Sequence, residues 1–390
     1  MKIDRRLGTY ITSSVAGERY RAYVPSSLPP SPSLQLDEKD YDLMENANRA
    51  LGRLDGMATL LPDTSLFIYF YVRKEALLSS QIEGTQSSFA DLILFETKEV
   101  PGVPLEDVQE VSNYVAAMNH GLKRLHDGFP LSLRLIREIH GILLSKGRGA
   151  QKSPGQFRRT QNWVGGSRPG NAHFVPPPPQ KVTELMGDLE KFLHDDPIRT
   201  PVLIKAALAH AQFETIHPFL DGNGRLGRLL ITLLLCAEEA MHAPTLYLSL
   251  YFKTHRQDYY SHLQRVRTDG DWEGWLRFFL TGVLEVAGQA TSAAHAILKL
   301  FERDRVKINK LGRPAGSALR VHELLQKKPI TSAAAAAKKL KLTEPTVRTA
   351  LRHLQELRIV HELTGKQRNR LFVYSKYIGI LDEGTEPIRQ

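Results

Sequence analysis

The 390-residue sequence is poor in cysteine and lacks long apolar runs, and both absences exclude whole classes of protein. Its single cysteine, Cys236, excludes an intrachain disulfide and lies in an apolar segment, where a buried, inert thiol is expected. No run of about 18 apolar residues and no apolar N-terminal signal segment is present, so neither a membrane span nor secretion is predicted. We therefore expect a cytoplasmic protein without a membrane partner.

Common nucleotide and metal motifs are also missing. The sequence contains no Walker lysine loop and no dinucleotide-binding glycine fingerprint. His322 and Glu323 do not begin a zinc motif, because Gln326 stands where the second histidine of H-E-x-x-H would be. The composition, 42% hydrophobic and 24% charged, is typical of a globular protein, and the length allows two or three domains.

Positive charge is concentrated in one part of the sequence. The net charge is +10, and residues 317–380 contain thirteen Lys/Arg against four Asp/Glu, so the other residues together carry about one net positive charge. An anionic partner is therefore expected for this segment alone.

The most informative stretch lies between two apolar segments with helical patterns, 204–213 and 229–237. It combines a histidine, an acid, two glycines that flank an asparagine, and two arginines. In order, its residues are His217, Pro218, Phe219, Leu220, Asp221, Gly222, Asn223, Gly224, Arg225, Leu226, Gly227 and Arg228. Because glycine tolerates positive φ, Gly222 and Gly224 can turn successive N–H groups to one side, and the helix N-terminus that follows completes an anion site.

The side chains of this stretch suit a phosphate substrate. Arg225 and Arg228 are three residues apart, so both can point from the first helical turn toward one anion. Asp221 supplies an oxygen ligand of the kind that Mg2+ takes beside phosphates. His217 has the side chain whose unperturbed pKa suits proton abstraction near neutral pH. Each fragment alone can be an ordinary turn or a structural histidine, but together they combine a base, a metal ligand and an anion site.

The stretch resembles the signature of the Fic family, H-P-F-x-[D/E]-G-N-G-R-x-x-R, and matches it at every defined position. The resemblance implies a helical Fic fold and transfer of AMP from ATP to a Ser, Thr or Tyr hydroxyl of a protein, including the chain itself. It also implies that His217 takes the hydroxyl proton and that Phe219 fixes the loop from the core.

The same resemblance assigns the phosphate contacts. Asp221 would hold Mg2+ against the phosphates of ATP. Backbone N–H groups of residues 222–225, with the Asn223 side chain, would hold the α-phosphate. Arg225 and Arg228 would bind the β- and γ-phosphates.

A second motif lies upstream, at the end of a strongly apolar predicted helix, 65–82. Ser79 and Glu83, followed by Gly84, match the inhibitory motif [S/T]-x-x-x-E-[G/N] of the same family. The resemblance implies that Glu83 pairs with Arg228 and blocks the γ-phosphate position. Such a carboxylate–guanidinium pair is geometrically specific and neutralises a charge that ATP needs. A surface glutamate beside a turn is the alternative.

Two further regions are expected near the nucleotide. Short extended pieces around a glycine-rich turn, between 153 and 179, predict a β-hairpin that contains Val164. The resemblance implies that this hairpin is the Fic flap, which pins an extended target segment by backbone pairing, and a structural hairpin is the alternative. It also places Tyr259 and Tyr260 at the adenine side, with Val164, whereas the two tyrosines by themselves predict core aromatics that cannot share one helix face.

The C-terminal region has its own pattern of three short helices and two strands around a basic turn, 364–370. This pattern resembles a winged helix, in which Arg348, Arg352 and the cations of the turn would face the phosphates of DNA. A protein–protein adaptor is the alternative.

The predicted fold class is mainly α, with a Fic-type helical core, a small β-hairpin flap and a C-terminal winged-helix domain. The predicted regions are an arm and helices including the inhibitory helix (1–100), the Fic catalytic core (101–292), a helical linker (293–316) and the winged-helix domain (317–390). The predicted function is an autoinhibited protein adenylyltransferase that uses ATP and Mg2+ and that the resemblance also allows to form a homodimer. The alternative is a DNA-binding regulator whose Fic module senses nucleotide or removes AMP.

Overall fold

The computed structural model describes residues 7–15, 17–60, 64–96, 104–365 and 370–386. Helices dominate these residues, and the predicted mainly α fold class is confirmed. Two small antiparallel sheets accompany the helices. In the part of the chain that is described, no helix is both long and apolar enough to cross a membrane.

The first described element is an antiparallel hairpin. β1 (Thr9–Val15) pairs along its length with β2 (Glu18–Val24), so the predicted arm contains a paired hairpin. The Tyr23 N–H donates to the Val175 carbonyl at 2.9 Å, so the hairpin is fastened to the region of the predicted flap.

The helical body contains the predicted helical segments 65–82, 204–213 and 229–237, which lie in its second, seventh and eighth helices. Its helices are α1 (Glu38–Leu60), α2 (Thr64–Ile82), α3 (Phe89–Glu96), α4 (Leu105–His126), α5 (Leu133–Leu143), α6 (Pro179–Leu193), α7 (Val202–Ile216), α8 (Asn223–Ala237), α9 (Ser249–Thr254), α10 (Arg256–Asp269) and α11 (Trp272–Asn309). We predicted that the catalytic core ends at residue 292 and that a separate helical linker follows it (293–316). The structure instead has one continuous helix, α11, because its buried stripe runs on without interruption through Ala290, Ala294 and Ile297.

The centre of the body is α7, which is buried on every side from Leu203 to Ile216. A helix that is apolar around most of its circumference is expected at the middle of a core. It packs against α6, α8, α10 and α11, and α8 in turn contacts α2, α4 and α5. The loop between α7 and α8 therefore lies where most of the body converges.

The C-terminal region contains four helices and a three-stranded antiparallel sheet in the order β3-β5-β4 within the described residues. Its elements are α12 (Ala315–Lys327), β3 (Ile330–Ser332), α13 (Ala333–Leu340), α14 (Glu344–Glu356), β4 (His361–Glu362), β5 (Leu371–Val373) and α15 (Ser375–Asp382). Three helices and two strands were predicted, whereas β3 and α15 were not, because β3 is too short to show an alternating pattern. The middle of the predicted basic turn, 366–369, lies outside the described residues.

Candidate active site

The loop between α7 and α8 brings most of the predicted site residues to one cavity of about 330 Å³. Two left-handed residues shape the loop: His217, with φ 51°, ends α7, and Gly222, with φ 75°, precedes α8. The N–H groups of the first turn of α8 have no partner within the helix, so they can receive an anion. The cavity is lined by Glu83, Arg148, His217, Leu220, Asp221, Gly222, Asn223, Gly224 and Arg225.

Asn223 holds the loop together, which differs from the predicted role of its side chain. Its Oδ1 accepts from the Phe219 N–H at 2.9 Å, and its Nδ2 donates to the Phe219 carbonyl at 2.9 Å. The Asn223 side chain is therefore buried and engaged with the backbone instead of facing an α-phosphate. Phe219 is buried as predicted, and its ring stacks on His140 with 3.7 Å between the ring centroids.

Three side chains that were not predicted as site residues fix the rest of the loop. Arg158 Nε donates to the His217 carbonyl at 2.9 Å, and Asn162 Nδ2 donates to the Phe219 carbonyl at 2.9 Å. Arg158 and Asn162 belong to an irregular polar stretch, where no periodicity distinguishes them from ordinary loop residues. Only their tertiary contacts reveal their role.

The third of these residues is His140, a buried histidine of α5. Its Nδ1 accepts from the Gly155 N–H at 2.8 Å, so in the neutral ring Nε2 carries the proton and donates to the Asp221 carbonyl at 3.0 Å. Burial lowers the pKa of His140 to about 4, which keeps the ring neutral at physiological pH. His140 is thus a buried positioning residue for Asp221.

His217 has the tautomer and the charge state of a base. Its Nδ1 lies 3.3 Å from the Glu214 carbonyl oxygen, which can only accept, so Nδ1 carries the proton of the neutral ring. Burial, together with the positive charges of Arg267 and Arg158, lowers the pKa of His217 to about 4. The ring is therefore neutral near pH 7, and the lone pair on Nε2 can accept a proton.

Arg225 is fixed at the cavity wall by two carboxylates. Its guanidinium lies 3.0 Å from Glu110 Oε2 and 3.4 Å from Asp221 Oδ1. Glu110 also binds Arg148, which lines the cavity, at 3.0 Å. Glu110 and Arg148 were not predicted, because neither belongs to a recognisable motif. Arg148 adds a second cation to the cavity wall that Arg225 lines.

The cavity fits Mg2+ only as an ion that shares its ligands with phosphates. Among the residues described, no cluster of three or more His, Cys, Asp or Glu side chains could hold a metal ion. Asp221 is a single carboxylate at the cavity, with Oδ1 accepting from the Gly222 N–H at 2.6 Å. Mg2+ commonly takes one or two carboxylates and completes its shell with water and substrate phosphates.

Arg228 faces the end of α2 instead of the open cavity. Its guanidinium donates to Glu83 Oε1 at 2.7 Å, to Ser79 Oγ at 2.9 Å and to the Ser79 carbonyl at 2.9 Å. Burial raises the pKa of Glu83, but the charge and hydrogen bond of Arg228 outweigh this and hold that pKa below its usual value. Glu83 is therefore an ionised partner of Arg228 and not a free surface glutamate.

Gly224 allows this close approach. A Cβ atom at position 224 would lie 2.3 Å from Glu83 Oε1 and 3.0 Å from an Arg228 guanidinium nitrogen. The carboxylate of Glu83 thus rests against the first turn of α8, at the place where a helix N-terminus favours an anion.

The predicted adenine-side residues do not line this cavity. Tyr259 is buried, and its hydroxyl lies 2.9 Å from His210 Nε2, so it is the core aromatic that its own pattern predicted. Tyr260 is 42% exposed, and its ring centroid lies 5.1 Å from that of Tyr259. The placement of both tyrosines beside the adenine stays a prediction. Val164 is exposed and pairs with Phe174 as a single antiparallel bridge, so the predicted flap hairpin is reduced to one pair.

Two family profiles match the chain. The profile described as Fic/DOC family N-terminal matches residues 41–123, and the one described as Fic/DOC family matches residues 130–235. The chain thus resembles the Fic/DOC family over these two ranges. The second of these contains α5, the loop with His217 and most of α8, whereas Ser79 and Glu83 lie in the first.

Curated relatives and solved structures agree with these matches. "Protein adenylyltransferase Fic" of Culex quinquefasciatus is 32% identical over 248 residues, which are 62% of this chain and 46% of that protein. The protein of the same name from Aedes aegypti is 32% identical over 252 residues, with the same coverage. The chain thus spans about half the length of the curated relatives it matches.

The solved structures confirm the fold. The crystal structure of a Fic family protein from Desulfovibrio desulfuricans G20 superposes with a TM-score of 0.59 at 20% identity and covers 88% of this chain and 98% of that chain. A Fic domain containing signaling protein from Bacteroides thetaiotaomicron VPI-5482 superposes with a TM-score of 0.53 at 22% identity, over 64% of this chain and 97% of that chain.

Proposed function

We propose that the chain is an autoinhibited protein adenylyltransferase, which transfers AMP from ATP to a Ser, Thr or Tyr hydroxyl of a protein. The observation that carries the proposal is the position of His217. Its neutral ring borders the same cavity as the first turn of α8 and Arg225. A base and an anion site thus face one space of about 330 Å³. The relatives named protein adenylyltransferase support the same chemistry.

The proposed reaction is a displacement at the α-phosphorus of ATP. The hydroxyl oxygen of the target forms a bond to that phosphorus, the bond to the bridging oxygen of the β-phosphate breaks, and pyrophosphate leaves. His217 Nε2 takes the hydroxyl proton. The N–H groups of residues 222–225 hold the α-phosphate, and Arg225 neutralises charge on the phosphates that leave. Catalysis then consists mainly of positioning and charge stabilisation.

Asp221 would hold Mg2+ together with the phosphates. When bound, the ion supplies positive charge that neutralises the phosphate oxygens. The contribution of the chain is to fix the carboxylate, since His140 binds the Asp221 carbonyl and the Gly222 N–H binds its Oδ1.

The contact between Glu83 and Arg228 supports autoinhibition. Ser79 and Glu83 together take the guanidinium hydrogen bonds that a γ-phosphate would use. The carboxylate also places negative charge against the first turn of α8. ATP can therefore bind in its reactive position only after Glu83 has moved away.

In the test, the Glu83→Gly and Glu83→Gly/His217→Ala variants are each incubated with ATP that is labelled on either the α- or the γ-phosphate. Label from α-labelled ATP should appear on protein, both on the chain itself and in a lysate, and should be lost in the double variant. Label from γ-labelled ATP should not appear. Transfer of γ-label would indicate a kinase, and absence of α-label with all of the lysate proteins present would refute the proposal.

A second activity, binding of duplex DNA by the C-terminal region, is favoured by the surface of α14. Arg348 and Arg352 lie on the solvent side of this helix, with 71% and 67% of their side chains exposed. Their partners are Glu344 and Glu356 on the same helix, and such exposed pairs are weak enough to yield to phosphates. We propose that this region is a winged helix with α14 in the major groove.

Binding of the full chain to duplex DNA across a range of salt concentrations tests this second proposal. The affinity should fall steeply with salt, and Arg348→Ala/Arg352→Ala should reduce the slope by roughly two counterions. Lys181→Ala, which removes an exposed lysine from α6, is the control. Absence of binding at low salt would favour the adaptor alternative.

A further inference from the structure

The helix that carries Ser79 and Glu83 also binds another part of the chain. Residues 383–386, which we call the C-terminal segment, follow α15 and run against α2 and α9. Lys74 of α2 donates to the Glu383 carbonyl at 2.6 Å. Lys253 of α9 donates to the carbonyls of Gly384, at 3.1 Å, and of Glu386.

These two lysines form a buried binding site and not a surface contact. Lys74 and Lys253 are only 5% and 8% exposed, and lysine is rarely buried without a partner. Burial lowers the pKa of Lys74 to about 8, so its ammonium group remains largely charged at pH 7. Thr385 is itself buried between these contacts. The site recognises main-chain carbonyl groups of a turn, in which the Thr385 N–H donates to the Asp382 carbonyl at 2.9 Å and Gly384 has a φ of 79°.

A third contact reaches the inhibitory motif. Gln81, between Ser79 and Glu83, donates from Nε2 to the Thr385 carbonyl at 2.7 Å and to the Ser87 carbonyl at 2.9 Å. One side chain thus joins the C-terminal segment to the turn that follows α2. The position of Glu83 depends directly on that turn.

The same turn contains buried polar groups that lack hydrogen-bond partners in the part of the chain that is described. The hydroxyl oxygens of Ser80, Thr85 and Ser87 are buried and have no hydrogen-bond partner among the described residues. Buried polar groups without partners are uncommon in folded proteins and reduce local stability. The end of α2 therefore depends on contacts from outside, and the C-terminal segment supplies them.

We propose that the groove formed by Lys74, Gln81 and Lys253 is a regulatory binding site whose intramolecular ligand is the C-terminal segment, and that docking of the segment holds Glu83 on Arg228. The inference rests on the proposed function, because it states how the inhibitory contact is controlled. Release of the segment loosens the end of α2, and ATP then reaches Arg228.

The fold also connects the C-terminal segment to the helices and sheet of the C-terminal region. Tyr377 of α15 contacts the ring of Phe70 on α2, with 5.2 Å between centroids, and that of Phe301 on α11, with 4.9 Å. Tyr374, just before α15, donates to Asp304 of α11 at 2.9 Å. A partner that displaces α15 from α11 would withdraw the segment from the groove.

The experiment compares the full chain with a form that stops after Asp382 and with Lys253→Met, which keeps every residue of the segment. Lys181→Met, on the surface of α6, is the matched control. We expect amide hydrogen exchange in residues 76–84 to become about tenfold faster in both test variants and to stay unchanged in the control. Self-labelling from α-labelled ATP should rise towards the level of Glu83→Gly, and truncation of Glu83→Gly should add nothing.

Two results would overturn the inference. One is unchanged exchange in residues 76–84 after truncation. The other is faster exchange without a gain in labelling, in a series where Glu83→Gly does label. If Glu83→Gly itself transfers no AMP, the proposed function fails separately, and ATP affinity replaces labelling as the readout. Truncation that leaves ATP affinity at the level of the full chain would then overturn the inference.

Discussion

The two sides of the contact between Glu83 and Arg228 are built differently. On the side of the loop, the carbonyls of His217, Phe219 and Asp221 each accept a hydrogen bond from a side chain. On the side of α2, three buried hydroxyl groups have no partner among the described residues, and beside the loop Asn162 Oδ1 and Arg225 Nε also have none. The difference lies in the backbone: side chains from several segments bind the carbonyls of the loop, whereas Glu83 is held by its pair with Arg228.

This difference separates the two tasks of the site. Catalysis by positioning needs a base and an anion site that do not move, and several independent hydrogen bonds provide this. An inhibitory element must leave the site, and elements that move are drawn from the less stable parts of a protein. A single pair between Glu83 and Arg228 can break while the loop stays intact. The inhibited and active states can therefore share one preformed loop.

Removal of the base should have the largest effect. In a Glu83→Gly background, His217→Ala should lower AMP transfer by about 100-fold or more, the usual contribution of a general base. ATP affinity should be retained, because the N–H groups of α8 and Arg225 stay in place. Single-turnover labelling and ATP titration measure the two quantities, with His295→Ala on the exposed side of α11 as control. Full transfer by His217→Ala would remove the proposed base.

Release of the inhibitory side should have the next largest effect. Glu83→Gly should raise labelling by about tenfold, because a charge-assisted pair no longer competes with ATP for Arg228. Glu83→Gln keeps the shape and loses the charge, so its labelling should lie between those of the wild type and Glu83→Gly. Glu184→Gln, an exposed change on α6, serves as control. Equal labelling in all four proteins would show that Glu83 does not restrain the site.

Stability should rank the two asparagines that hold the loop. Asn223→Ala leaves the buried Phe219 N–H unpaired and should lower the free energy of unfolding by about 2 kcal/mol. Asn162→Ala should cost less, about 1 kcal/mol, because the Phe219 carbonyl keeps its bond from Asn223. Urea denaturation measures both, with the exposed Asn48→Ala as control. Equal losses for Asn223→Ala and Asn162→Ala would mean that the loop is not held as described.

The sequence predicted the parts of the site that depend on local order. Helix-forming patterns on either side of residues 217–228 place His217 and Arg225 at a helix–loop–helix joint, and the structure brings them to one cavity. The close contact of Glu83 with Arg228 was predicted from a motif match, because spacing alone favoured a surface glutamate. Only its inhibitory effect still has to be measured.

Contacts between distant segments could not be predicted. Arg158 bonds a carbonyl 59 residues away, and Gln81 bonds one 304 residues away. Nothing in their local sequence distinguishes them from other polar residues. The role of Asn223 was mispredicted for a related reason, since a motif shows which residues occur and not whether a side chain turns to the substrate or to its own loop. The continuity of α11 likewise depends on what it packs against.

The smallest expected effect is that of pH on the base. With the pKa of His217 lowered to about 4, the neutral ring is fully present at pH 7.5 and at about pH 5.5, and is lost only as the pH falls through 4. Glu214, whose pKa burial raises to about 7, loses charge over the same range as the pH falls, and this further disfavours a protonated His217. The kcat/KM of Glu83→Gly should thus change less than about twofold between these pH values, whereas a histidine with an ordinary pKa would lose about tenfold. Circular dichroism at both values checks that the chain stays folded. A tenfold loss would mean that the positive charges of Arg158 and Arg267 do not keep this imidazole neutral, and that the loop leaves its base as open to protonation as a surface histidine.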